Sequence, residues 1–124
     1  MTDPHVPAYA IAYLRDVTFG ADIIQYMREI DATLSPFGGE FVVHGGRKHP
    51  MEGEWDGDIV VIRFPDYAAA TGWYESDDYQ RILPLRVQNS ASIAVIVEGV
   101  EPGHTGTSKV DQMLSDSSRC GSTN

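Results

Sequence analysis

The sequence predicts an α+β fold in which four strands form one antiparallel sheet with helices on a single face. Three observations predict it: four apolar runs of strand length, helical stretches placed between them, and turn residues at the junctions. "AYAIAYLR" (residues 8–15) alternates large and small side chains and reads as the first strand. "FGADIIQYMREIDATLSPFGG" reads as a helix, because Ile23, Met27, Ile30, Leu34 and Phe37 recur at spacings of four and three and make one apolar stripe. Pro36 weakens its last turn, and Gly38 with Gly39 ends it. "EFVVH" and "DIVVIRF" are the second and third strands, separated by a polar, turn-rich connection. Asp66 is placed to cap a second helix, "YAAATGWYES". Ser76 can cap a further segment, "DDYQRILPLR", with Asp77 and Asp78 near the positive helix end. "ASIAVIVEG" is the fourth strand, apolar enough to be covered on both sides.

The resulting order, β-α-β-β-α-β, is the split arrangement of ferredoxin-like domains. A sheet with one wet face alternates apolar with polar residues, and this one does not. Tyr9, Ile11 and Tyr13 fall on one side of the first strand, Ala10, Ala12 and Leu14 on the other, and the third strand is apolar on both sides apart from Arg63. The face without helices is therefore expected to be covered by a second copy of the chain, which makes a homodimer. The domain is expected over residues 8–102, with a flexible arm over 1–7. Residues 103–124, rich in Ser, Thr and Gly, are expected to form a disordered tail.

The 124 residues suit a single domain, with 42% hydrophobic and 22% charged residues. A net charge of −9 argues against nucleic acid and anionic membrane as partners. No run reaches the ~18 apolar residues of a spanning helix, and the opening residues lack the basic-then-apolar pattern, so no leader is expected. The single cysteine, Cys120, has no intrachain partner and lies in the polar tail. A cytoplasmic location is the expectation.

The chemistry concentrates in "FVVHGGRKHPMEGEW" (residues 41–55) and in the aromatic segment after it. Strict strand alternation places His44 on the side of Val42, opposite Phe41 and Val43; at a cavity mouth its imidazole could carry a proton near neutral pH. Gly45 and Gly46 would allow a ligand close to the backbone. A histidine at a hairpin end bonded only to solvent is the bland alternative. His44, His49, Glu52 and Glu54 are metal-ligand types, but their spacing matches no common motif, and no metal is expected. Glu54 could act as a general base if buried beside Trp55; Arg47 reads as a surface residue. Trp73, Tyr74 and Tyr79 either line a pocket or fill the core between helix and sheet, Trp73 being the stronger core candidate. Arg63, on an otherwise apolar strand, needs a carboxylate, a ligand anion or the sheet edge. Arg86, beyond Pro84, could hold a carboxylate or enolate oxygen, or lie on the surface. Phosphate loops, nucleophile elbows and C-x-x-C pairs are missing, so no NAD, FAD or ATP is expected.

"FGGEFVVHGG", "EGEW", "VVIRFPDYAAATGWYESDDYQ" and "LPLR" together resemble a bacterial family known as domain of unknown function 1330, of the dimeric α/β-barrel superfamily. Phe64-Pro65 followed by Trp73-Tyr74-x-Ser76-x-x-Tyr79 is its most specific part, and the resemblance runs over roughly residues 8–99. In two places this chain departs from the family pattern: His44 stands where arginine is expected, and Asp56-Gly57 where a proline-containing turn is expected. The resemblance implies monomers paired sheet to sheet with a substrate cavity between sheet and helices. The superfamily includes cofactor-free monooxygenases of polyketide quinols, lactone isomerases, cyclases and dehydratases. It implies a small aromatic or polyketide-like ligand and acid/base chemistry without a cofactor. His44, Arg86 and Glu54 are the candidate catalytic residues; Tyr13, Tyr26, Trp73, Tyr74, Tyr79 and Arg63 are candidates for substrate binding. A non-catalytic ligand-binding protein, or a dimerisation module with a filled core, is the alternative.

Overall fold

The computed structural model describes residues 6–120. The strands are β1 (Ala8–Arg15), β2 (Glu40–His44), β3 (Asp58–Phe64) and β4 (Ala91–Glu98). The helices are α1 (Ala21–Leu34), α2 (Tyr67–Glu75), α3 (Asp77–Val87) and α4 (Gly106–Cys120). The sheet order is β2-β3-β1-β4, every neighbouring pair antiparallel. Up to β4 the element order is that read from the sequence.

Local signals explain the boundaries. Asp66 accepts a hydrogen bond from the Ala69 amide and Ser76 from that of Tyr79, so both caps form. After α1 a 3₁₀ turn, Ser35–Phe37, leads to Gly38 at φ 72°, a left-handed conformation glycine adopts freely. Gly39 allows close approach: a Cβ there would lie 2.7 Å from the Phe64 ring and 2.8 Å from Leu34. The closed turn thereby presses the end of α1 onto β3.

Period-two alternation divides the sheet. Ala8, Ala10, Ala12 and Leu14 of β1 lie in register with Phe64, Ile62, Val60 and Asp58 of β3, on the side of the helices. The core forms there from Ala8, Ile30, Leu34, Ile62, Phe64, Ala70, Trp73, Tyr79 and Ile82. The opposite face carries Ile11, Val61 and Val95 in one register row and Tyr13, Ile59 and Ile93 in the next. Ile93 is 71% and Val95 55% exposed on it. The apolar face expected from the sequence is therefore present and bare within a single chain.

One expectation is corrected. Residues 106–120 form α4 rather than a disordered tail: Val110, Met113 and Leu114 recur at helical spacing, and Thr105 and Ser108 exchange side-chain-to-amide bonds at the helix start. These three apolar residues are each more than half exposed. At the other end, the Gly99 amide bonds the Pro7 carbonyl at 2.7 Å, tying position 7 to the end of β4. Residues 1–5 of the predicted arm and 121–124 of the predicted tail lie outside the described residues. Among the described residues no helix is long and apolar enough to cross a membrane.

Candidate functional site

A cavity of about 860 Å³ opens between the sheet and helices α1 and α3. Small residues make the room: Ala10, Ala12 and Ala94 form its sheet wall, with Leu14, Val60, Ile62 and Ile96 around them. Met27 and Ile30 of α1 and Trp73 and Tyr74 at the end of α2 complete the apolar lining, with Phe19 and Tyr67 toward solvent.

The floor is polar. Tyr79 and Arg86 stand two turns apart on α3 and so share a face. The phenol oxygens of Tyr79 and Tyr26 lie 2.7 Å apart. Arg86 donates from Nε to the Tyr26 oxygen at 3.3 Å, from one terminal nitrogen to Ser92 Oγ at 2.8 Å, and from the other to the Tyr79 oxygen at 3.4 Å. Tyr79 is 1% and Arg86 7% exposed. Pro84 does not end α3; the helix runs on to Val87, which is why Arg86 sits on it facing inward.

Burial, reinforced by neighbouring Tyr79 and only partly countered by Arg86, pushes the Tyr26 phenol well above its ordinary pKa. Tyr26 therefore stays a neutral donor at any ordinary pH. For Arg86, burial opposes the charge, but the two phenol oxygens more than offset it and hold the pKa above its ordinary value. A permanent cation is thus held among hydroxyl oxygens.

The Tyr26 shift has a measurable consequence. Above about pH 10 the unfolded phenol loses its proton while the folded one keeps it, so the native state binds more protons and stability falls as pH rises. The contribution is fully present below that pH. Wild type is expected to lose about 1.4 kcal/mol per pH unit above about pH 10 more steeply than Tyr26→Phe. Urea midpoints between about pH 9 and about pH 12 measure this, and parallel slopes would contradict it.

His44 closes β2 at the cavity rim, exposed and stacked on Phe41 with ring centroids 4.2 Å apart and 7° between planes. Strict alternation would put Phe41 and His44 on opposite faces. A β-bulge between Phe41 and Val43 corrects this: Phe41 pairs with Ile62, Val43 with Val61 and His44 with Val60, leaving Val42 as the extra residue. Phe41 and His44 then share the helix side.

Of the candidate residues, the structure gathers His44, Tyr26, Trp73, Tyr74, Tyr79 and Arg86 around this one cavity. Trp73 is at once core and wall, 3% exposed, its indole N–H donating to Thr33 Oγ1 at 3.0 Å. Three candidates lie elsewhere. Tyr13 falls on the bare face by alternation, its hydroxyl bonded to the Asp56 carboxylate and its ring edge-on to Trp55 at 5.0 Å. Arg63 is on the same face, exposed, and meets its cross-strand neighbour Glu40 at 3.8 Å. Glu54 is exposed on the β2–β3 connection, where no burial beside Trp55 occurs. Sequence reasoning missed Ser92 and Thr33. The alternation Ser92, Ala94, Ile96 in β4 signals the first, and the spacing of three from Ile30 signals the second.

An antiparallel four-stranded sheet with helices on one side and a cavity beneath them defines a ferredoxin-like α+β protein. The chain belongs to the family described as Domain of unknown function (DUF1330), whose profile matches residues 7–100. Its fold is similar to that of RPA0582, a protein of unknown function from Rhodopseudomonas palustris, with 18% identity, TM-score 0.59, and coverage of 81% of this chain and 87% of that one. A dimeric ferredoxin-like protein of unknown function from Jannaschia sp. CCS1 is similar at 18% identity and TM-score 0.58, covering 74% and 98%. SnoaB, a cofactor-independent oxygenase from Streptomyces nogalater, is similar at 11% identity and TM-score 0.50, covering 83% and 100%. A search of curated proteins finds no significant match.

Proposed function

We propose that this protein is a cytoplasmic homodimer and a cofactor-independent enzyme that uses acid/base chemistry on a small aromatic or polyketide-like metabolite. The observation that carries this reading is the cavity of about 860 Å³ with apolar walls, a donor-rich floor at Tyr26, Tyr79 and Arg86, and an imidazole at its rim. Apolar walls with a few convergent polar groups are the usual make-up of a small-molecule site. His44 is the proton carrier in this reading, and the floor stabilises the oxyanion that forms when a carbon acid beside a carbonyl is deprotonated. Cyclisation, isomerisation, dehydration and oxygen insertion through a carbanion share that step. The bare β-surface and the dimeric, ferredoxin-like relative support pairing through the sheet. The oxygenase with a similar fold supports chemistry without a cofactor.

Exchange of α-protons tests the shared step without knowledge of the natural substrate. With 2-tetralone in D₂O, wild type is expected to accelerate exchange at the benzylic α-carbon, read by proton NMR. His44→Gln is expected to keep binding but lose about 10²–10⁴-fold in exchange rate, the usual worth of a positioned acid/base group. Binding without any exchange by wild type would replace the enzyme with a non-catalytic ligand-binding protein. A volume so large already speaks against a filled dimerisation module.

A further inference from the structure

We propose that the floor of the cavity is an anion subsite, so that the ligand carries a carboxylate or an ionised enol on an apolar ring body and places it against Arg86. This deepens the reading above and rests on it.

The case is an inventory of donors and acceptors. Arg86 has five N–H groups, and three are committed, to Tyr26, Ser92 and Tyr79. Two of those bonds, at 3.3 and 3.4 Å, are long for nitrogen donors, so the guanidinium is held but weakly satisfied. Between the tyrosines one hydroxyl donates to the other, which leaves the second proton to be given elsewhere. The cluster therefore has more donors than acceptors, and every acceptor in it is a hydroxyl oxygen.

Among the described residues its charge meets no carboxylate either. The ion pairs of Arg15, Lys48, Arg63 and Arg81 all lie at exposed carboxylates, while Arg86 is buried, its side chain hydrogen-bonds to hydroxyls, and its guanidinium lies 5.9 Å from the Tyr26 ring centroid. Among the described residues lining the cavity the one carboxylate is Asp58, and it is held by Lys48 at 2.8 Å. A buried guanidinium is costly without a counter-charge, and its planar fork matches a carboxylate or a delocalised enolate. In a chain of net charge −9 this is a local exception that would not arise from overall composition. The apolar walls above it select the rest of the molecule.

Calorimetric titration of the full-length protein at neutral pH with three probes tests this. They are 2-naphthoate, 2-hydroxy-1,4-naphthoquinone (ionised as an enolate) and neutral 2-naphthalenemethanol. At least one anion is expected to bind wild type about 10- to 100-fold more tightly than the alcohol, the usual worth of charge-assisted hydrogen bonds. A preference for the carboxylate alone, or for the enolate alone, names the ligand class. Arg86→Met is expected to close the gap by weakening the anions far more than the alcohol, and Arg86→Lys to keep part of it. If the methionine variant does not fold, the wild-type comparison and the lysine variant decide. Equal binding of all three would overturn the anion subsite and leave the pocket standing. Binding of none would overturn the pocket as well.

Discussion

Trp73→Ala is expected to lower the unfolding free energy by about 3–5 kcal/mol, the range for truncating a buried large aromatic. Trp73 is the piece that joins layers. Its ring lies 4.1 Å from that of Tyr79 and 5.4 Å from that of Phe64, so it connects α3 to β3 from its own position in α2. Its indole N–H bonds Thr33 Oγ1, whose hydroxyl in turn donates to the Ile30 carbonyl on α1. Removal takes away apolar burial, leaves a void continuous with the cavity, and deprives a buried hydroxyl of its donor. Trp55→Ala is the matched control. That indole is 45% exposed on the β2–β3 connection, and although its N–H bonds the Gly57 carbonyl at 2.6 Å, the substitution is expected to cost less than about 1.5 kcal/mol. Urea unfolding followed by circular dichroism compares the two. Equal losses would mean that Trp73 does not organise the core.

The fold was legible because its signals are local and agree with one another. The stripe in α1, the caps at Asp66 and Ser76 and the alternation in β1 each depend on residues a few positions apart. The clearest inference drew on a conflict instead: apolar residues on both sides of β1 and β3 demanded cover for a face that no helix reaches. What escaped was set at longer range. The bulge at Val42 depends on how β2 meets β3, and alternation counted along β2 alone turns His44 the wrong way. Tyr13 belonged to the bare face by the very alternation that identified that face, yet as an aromatic with a hydroxyl it also read as a pocket residue. Arg86 was ambiguous because it lies beyond the kink that Pro84 suggests; only packing against α1 and β4 shows the helix carrying its guanidinium to Tyr26 and Ser92. Arg63 illustrates the opposite case, an odd charge on an apolar strand satisfied by the residue directly across from it. Helix α4 escaped because Ser and Thr make up a third of it and its single apolar stripe is short.

The largest effect expected at the bare face is the loss of pairing in Ile93→Asp. In the proposed dimer the β-surfaces pack against each other, and Ile93, the most exposed large apolar side chain of β4 on that face at 71%, becomes buried. A carboxylate there must be desolvated without a partner, which costs several kcal/mol. Two-fold symmetry repeats the substitution in both copies, so the penalty enters the dissociation constant twice. Two chains of net charge −9 also repel each other, and aspartate adds to that repulsion where lysine would relieve it. The dissociation constant is therefore expected to rise more than about 100-fold, turning a dimer into a monomer in sedimentation equilibrium at micromolar protein. Met51→Asp, on an 81% exposed loop residue, is expected to leave the mass unchanged. Because pairing is linked to folding, the melting temperature of wild type should rise with concentration and that of Ile93→Asp should not. A wild type that sediments as a monomer under these conditions would remove the dimer from the proposed function. It would leave the cavity, which is built within one chain, to be judged by its ligands alone.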